Sequence, residues 1–137
     1  MTQEDKDLLI QDLCGRLPYY TKADDRDEFF TIRAYHPSGG FIDNFGITHC
    51  TDNIKPYLFP LSSMTEEQKI ECFKGTDIEL DEDNEIWSTF PISNTDIVLT
   101  NLNNWLKVIN WLNKNHFDYR GLIEKELAIN ATGLNIY

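Results

Sequence analysis

The residues best suited to chemistry in this chain sit close together: His36, Asp43, His49 and Cys50 share one stretch, with Asp52 just beyond. Imidazole nitrogens and carboxylate oxygens are the donors that divalent cations take. His36, Asp43 and His49 therefore form a candidate metal set. A thiolate beside an imidazole would instead give an activated nucleophile. His49 and Cys50 are adjacent, and neighbours on a strand point to opposite faces, so Cys50 with His36 is the pair to consider. The competing structural reading is a half-buried histidine and a core thiol.

Positioning these groups requires a hairpin. Phe29 to Tyr35 is rich in β-branched and aromatic side chains, as a strand should be. Pro37-Ser38-Gly39-Gly40 is a turn signal. Phe41 to Cys50 supplies one or two further strands, with a bend at Asp43-Asn44-Phe45-Gly46. His36 and His49 then flank the hairpin, and antiparallel pairing would bring them together.

A second candidate is the acidic segment, with Asp77, Glu79, Asp81, Glu82, Asp83 and Glu85 followed by Trp87. An EF-hand needs glycine at the sixth position and an acid at the twelfth. Counting from Asp81 those places hold Ile86 and Ile92, and counting from Asp77 they hold Glu82 and Ser88, so the EF-hand is excluded. The segment reads as a solvated acidic surface, for which Trp87 would be an apolar anchor.

His116, Asp118, Tyr119 and Arg120 have the composition of an acid–base site and equally of a helix–helix corner. In the corner reading Asp118 caps the last helix, Arg120 pairs with a nearby carboxylate, and Phe117 and Tyr119 fill the seam. The corner needs no ligand, and Asp before an apolar run is a capping signal. Val98, Leu102, Trp105, Leu106, Ile109 and Leu112 repeat at near-helical spacing, so a long helix opening at Asn94 or Thr95 precedes the corner. Trp105 and Trp111 lie on different faces of it.

The remaining elements follow from caps and breakers. Thr2 caps a first helix from Gln3 to Cys14, stopped by Gly15 and Pro18. Tyr19 to Glu28 reads as a polar loop. Tyr57 to Phe59 lies between Pro56 and Pro60, which predicts an edge strand or extended loop. Thr65 and Gln68 form a capping box for a second helix ending at Lys74-Gly75. Ile86 to Phe90 reads as a short strand, and Gly121 to Ala128 as a final helix. The expected fold is α+β: a small, mostly antiparallel sheet packed against an N-terminal helix and a C-terminal helix pair, in one globular domain spanning residues 1–137.

Charge narrows the partners. Twelve basic against 23 acidic side chains give a net charge of −11, and the basic residues are scattered. Such a field repels phosphate backbones, so no direct nucleic-acid contact is expected. Cys14, Cys50 and Cys72 are odd in number and far apart, which fits a reducing compartment and buried thiols. The acidic start lacks an apolar signal core, and no apolar run approaches the roughly 18 residues a bilayer span needs. A cytoplasmic protein without membrane contact is expected.

Ile54 to Glu67, Trp111-Leu112-Asn113, His116 to Lys125, and the start from Glu4 to Lys6 with Leu8 to Leu17 carry a resemblance. They resemble a group of short uncharacterised proteins of Bacteroides-type gut bacteria and their phages and mobile elements. The resemblance spans most of the chain except Lys74 to Asn94. It implies a small cytoplasmic, phage-borne or mobile-element protein, and it brings no functional residue with it. The expected function is a non-catalytic acidic interaction protein, without cofactor, binding a host or phage protein through Asp77, Glu79, Asp81, Asp83, Glu85 and Trp87. The alternative is a small enzyme or metal protein built on His36, Asp43 and His49.

Overall fold

The computed structural model describes residues 1–76 and 102–137. The acidic segment from Asp77 through Glu85, Trp87, the expected strand at Ile86 to Phe90 and the expected helix start at Asn94 or Thr95 lie outside the described residues. The fold is α+β, and among the described residues it has a mostly antiparallel seven-stranded sheet, an N-terminal helix and two later helices.

Helix α1 (Gln3–Gly15) starts where the Thr2 side chain accepts from the Asp5 amide at 3.1 Å. It presents Leu9, Asp12 and Leu13 to the interior. The strands are β1 (Lys22–Asp25), β2 (Glu28–His36), β3 (Gly40–Asp43), β4 (Thr48–Cys50), β5 (Ile54–Pro60), β6 (Phe117–Asp118) and β7 (Ile129–Asn130). Pairing runs β4-β3-β2-β1-β5-β6, and β7 also pairs with β5. Helix α2 (Glu66–Phe73) begins at the expected Thr65–Gln68 capping box, and α3 (Leu102–Lys114) packs against it.

Two apolar cores result. One holds Leu9, Leu13, Ala23, Phe30, Ile32, Phe41, Ile54, Leu58, Leu122 and Leu127, between α1 and the sheet. The other joins α2, α3 and β6 through Met64, Cys72, Phe73, Trp105, Val108, Leu112, Phe117 and Tyr119. Among the described residues, no helix is long and apolar enough to cross a membrane.

Three local readings change. Lys22–Asp25, within the expected polar loop, is a strand. Its turn to β2 has φ of 48° at Arg26 and 71° at Asp27, the left-handed pair a two-residue hairpin needs. Glycine usually supplies that geometry, so Arg-Asp hid the turn. Secondly, β5 is not an edge strand: it pairs with β1 through residues 54–56 and with β7 and β6 through residues 57–60. The bonds fall between its prolines, where the Phe59 amide donates to the His116 carbonyl and Leu58 O accepts from the Ala131 amide. Thirdly, Gly121 to Ala128 is a set of turns. The Leu127 amide donates to Leu122 O and the Glu126 amide to Ile123 O, with Glu126 at φ 61°. This is a Schellman closure, which ends the segment after about one turn. The helix pair that packs is accordingly α2 with α3.

Strand β2 governs the rest. Its first half pairs with β1 and its second with β3, and the register shifts between Ile32 and Ala34. A bulge there sharpens the bend and twist. The β3–β4 hairpin therefore curls back over β1, although two strands separate β4 from β1 in the sheet order.

Candidate functional site

The curl places His49 between two carboxylates. Its Nδ1 lies 2.7 Å from Asp25 Oδ2 and its Nε2 2.8 Å from Asp43 Oδ2. A carboxylate can only accept, so both ring nitrogens carry protons and the ring is an imidazolium. Burial alone would drive the His49 proton off, but the two aspartates outweigh it and hold the ring above its usual range. For Asp43, burial opposes ionisation. The His49 bond and the Ile47 and Phe45 amides outweigh that cost and lower its pKa. Phe30 stacks on the imidazolium with centroids 3.8 Å apart, a cation–π contact in a sheltered place.

The local chain is shaped for this. Asp43 Oδ1 accepts from the Phe45 amide at 2.8 Å and the Ile47 amide at 3.0 Å. That fixes the expected bend, with Gly46 at φ 82°. Gly40 is also required, since a Cβ there would meet the His49 carbonyl oxygen at 2.6 Å. The rigid turn leaves Phe45 81% and Ile47 57% exposed, and Phe29 across from them is 54% exposed. These three rim a cavity of about 350 Å³ whose other lining includes Glu28, Asp43 and His49.

The expected metal set is only partly assembled. Asp43 and His49 meet, but His36 does not join them. His36 pairs across β3 with Gly40, which pairs with Cys50, whereas His49 belongs to the neighbouring row through Phe41 and Tyr35. Adjacent rows point to opposite faces. His36 is exposed and its Nδ1 lies 2.6 Å from Ser38 Oγ within its own turn. Cys50 is exposed too, not a core thiol, and its Sγ lies 3.8 Å from Asp52 Oδ2. His36 and Cys50 sit two strands apart in one row, about 10 Å at normal strand spacing, too far for a nucleophile pair.

Asp25 and Glu28 were hidden by the misread hairpin and take His36's place. Ligand atoms of Asp25, Glu28 and His49 lie within 4.8 Å of one another. A divalent ion there would replace the proton on Nδ1, while Asp43 held Nε2–H as an orienting partner.

The corner around His116 has the expected Asp118 cap, but the cap closes the turn segment of Gly121 to Ala128 and not a helix. Asp118 Oδ1 accepts from the Arg120 and Leu122 amides, and Oδ2 accepts from the Ile123 amide at 2.9 Å. Arg120 lies 3.3 Å from Asp12. Fully buried Arg16 donates to both Asp12 oxygens and to the Phe117 carbonyl. Burial opposes its charge, yet Asp12 raises its pKa and keeps it a cation. Tyr119 lies between the Arg16 and Arg120 guanidinium groups, 5.2 Å from each. Trp105 is buried and Trp111 half-buried against Phe117, so neither is a free anchor. Comparison of the chain with protein-family models, with curated proteins and with solved structures returns no match in any of the three.

Proposed function

We propose that this is a non-catalytic interaction protein that receives a basic side chain of a partner protein in the cavity between Glu28, Asp43 and the rim of Phe29, Phe45 and Ile47. The observation that carries the reading is the exposure of Phe45 on a turn that Asp43 holds rigid. Exposed aromatic anchors on a fixed backbone lose little entropy on binding, and such anchors dominate interface energies. With His49 as imidazolium and Arg26 3.4 Å from Asp25, the carboxylates of Asp25, Asp43 and Glu28 leave one net negative charge. That charge complements a lysine or arginine and repels an acidic segment. The geometry also argues against His49 as a general base, because both its nitrogens already donate. A host or phage protein partner fits this surface as well as it fits the acidic segment at Asp77 to Trp87.

The test is selection from a random peptide library displayed on phage, with wild-type protein and Phe45→Ser as baits. Enrichment of peptides pairing Lys or Arg with an apolar neighbour, lost with Phe45→Ser and weakened by Glu28→Gln, supports the reading. Enrichment of acidic peptides, or enrichment indifferent to both substitutions, overturns it.

A second reading rests on the Asp25, Glu28 and His49 cluster: the same acidic cavity takes a divalent cation. Cobalt titration followed by visible absorption separates the two. A saturable d–d band lost in His49→Gln would favour the cation.

A further inference from the structure

A second cavity, of about 530 Å³, is bounded by β5, the start of α2, the end of α3 and the segment after β7. His116 lines it, is only 9% exposed, and has a buried Nδ1 without a hydrogen-bond partner among the described residues. Its backbone sits at φ 64°, an unusual conformation for a non-glycine residue. Tyr137 stacks on its ring with centroids 3.6 Å apart. Phe59 tilts against Tyr137 at 5.8 Å and against Phe117 at 5.8 Å.

The polar lining is largely uncommitted. Lys114 makes no hydrogen bond or ion pair among the described residues, and the Thr132 hydroxyl makes no hydrogen bond. Thr65 Oγ only accepts, from the Gln68 amide, so its proton is available. Gln68 uses its side-chain carbonyl, which leaves its NH₂ group to donate. These are mostly donors. Burial, and then the charges of Arg16 and Lys22, push the His116 pKa down to about 4. Among the residues lining the cavity, Lys114 carries the charged side chain, and it is a cation.

We propose that this cavity binds a small organic anion built on a planar aromatic ring, the ring lying against Phe59, His116 and Tyr137 and the anionic group meeting Lys114, Thr132 and Gln68. Aromatic walls favour a flat ring, and convergent N–H and O–H donors with one ammonium favour a phosphate or carboxylate. A volume of about 530 Å³ suits a ligand of nucleotide size.

The experiment is a titration of the intact chain, ¹⁵N-labelled at histidine, with adenosine monophosphate, indole acetate, adenosine and inorganic phosphate. Saturable shifts at His116 are expected with one or both of the ring-bearing anions, about tenfold stronger than with adenosine or phosphate alone. The stronger of the two anions identifies the anionic group. Lys114→Gln, on an exposed side chain that leaves the fold intact, should weaken binding about tenfold, and Thr132→Val should weaken it severalfold. His116→Asn, with Asn tolerant of the left-handed backbone, should weaken it without abolishing the thermal transition. No saturable shift from any probe at millimolar concentration overturns the proposal. So does equal affinity for adenosine and its monophosphate together with no binding of indole acetate, or affinity unchanged by Lys114→Gln.

Discussion

His49 and His116 are both more than nine-tenths buried, yet one is a cation and the other is neutral. His49 faces two carboxylates, each within hydrogen-bond reach. Among the described residues His116 faces no acid at such range, and it lies near the charges of Arg16 and Lys22. Burial penalises the charged form at both sites, so the neighbours decide the outcome. The first histidine is used up as a clasp joining β1, β3 and β4. The second keeps an unused nitrogen beside a cavity.

The harshest way to break this contrast is Asp43→Ala. It leaves the buried His49 cation with one partner and frees the Phe45 and Ile47 amides. A cost of about 3–5 kcal/mol is expected, as for other broken buried pairs, measured by urea unfolding near pH 6. A cost below about 1 kcal/mol would mean that the clasp is not ionised.

The pH dependence sharpens the contrast next. The raised pKa of His49 means its contribution is full below the unfolded value of about 6.5 and is lost as pH rises through the folded value. The lowered pKa of Asp43 means its contribution is full above about 3.9 and is lost as pH falls through the folded value. The clasp is therefore strongest between about pH 4 and 6.5. His116 acts oppositely. With a folded pKa of about 4, it resists protonation that the unfolded chain accepts, so stability falls as pH drops from about 6.5 toward 4. Between pH 7 and 5 that loss amounts to about 2 kcal/mol. His116→Asn should flatten the acid-side slope of unfolding free energy, whereas His49→Gln should leave that slope in place and remove the loss of stability as pH rises above about 6.5. Parallel slopes in all three proteins would remove the contrast.

An effect of similar size tests the frame around His116. Asp118→Ala removes the acceptor of three backbone amides and should cost about 2 kcal/mol. It should also broaden the His116 resonance as the turn loosens. The smallest effect on stability belongs to the rim. Phe45→Ser should shift the unfolding midpoint within the range of about 0.5 kcal/mol typical of surface positions, while selection of basic peptides is lost. Unfolding by more than that would make Phe45 structural.

The sequence revealed what local chemistry controls. The Thr2 cap, the Thr65–Gln68 capping box, the Asp43–Gly46 bend and the Asp118 corner all rest on residues a few positions apart. Pairing across longer separations was not legible. Hairpin pairing does not bring His36 to His49 because the two occupy neighbouring rows, His36-Gly40-Cys50 and Tyr35-Phe41-His49, a register that the turn residues do not reveal. Asp25 and Glu28 were missed because Arg26 and Asp27 adopt positive φ without glycine. Pro56 and Pro60 suggested an edge, but the intervening residues supply the bonds.

The stitching of the two halves also constrains how the chain acquires its shape during synthesis. Arg16 reaches the Phe117 carbonyl across 101 residues, and the Lys22 amide meets Tyr137 across 115. Helix α1 and the β1–β4 meander are made before these polar partners, which follow 101 and 115 residues later. Until then the buried guanidinium of Arg16 has Asp12 but not its carbonyl, and β5 lacks both parallel neighbours. Contacts of such range close slowly. The nascent chain therefore carries an unsatisfied strand until residues 117–130 are made, a state in which chaperone contact or early aggregation competes with folding.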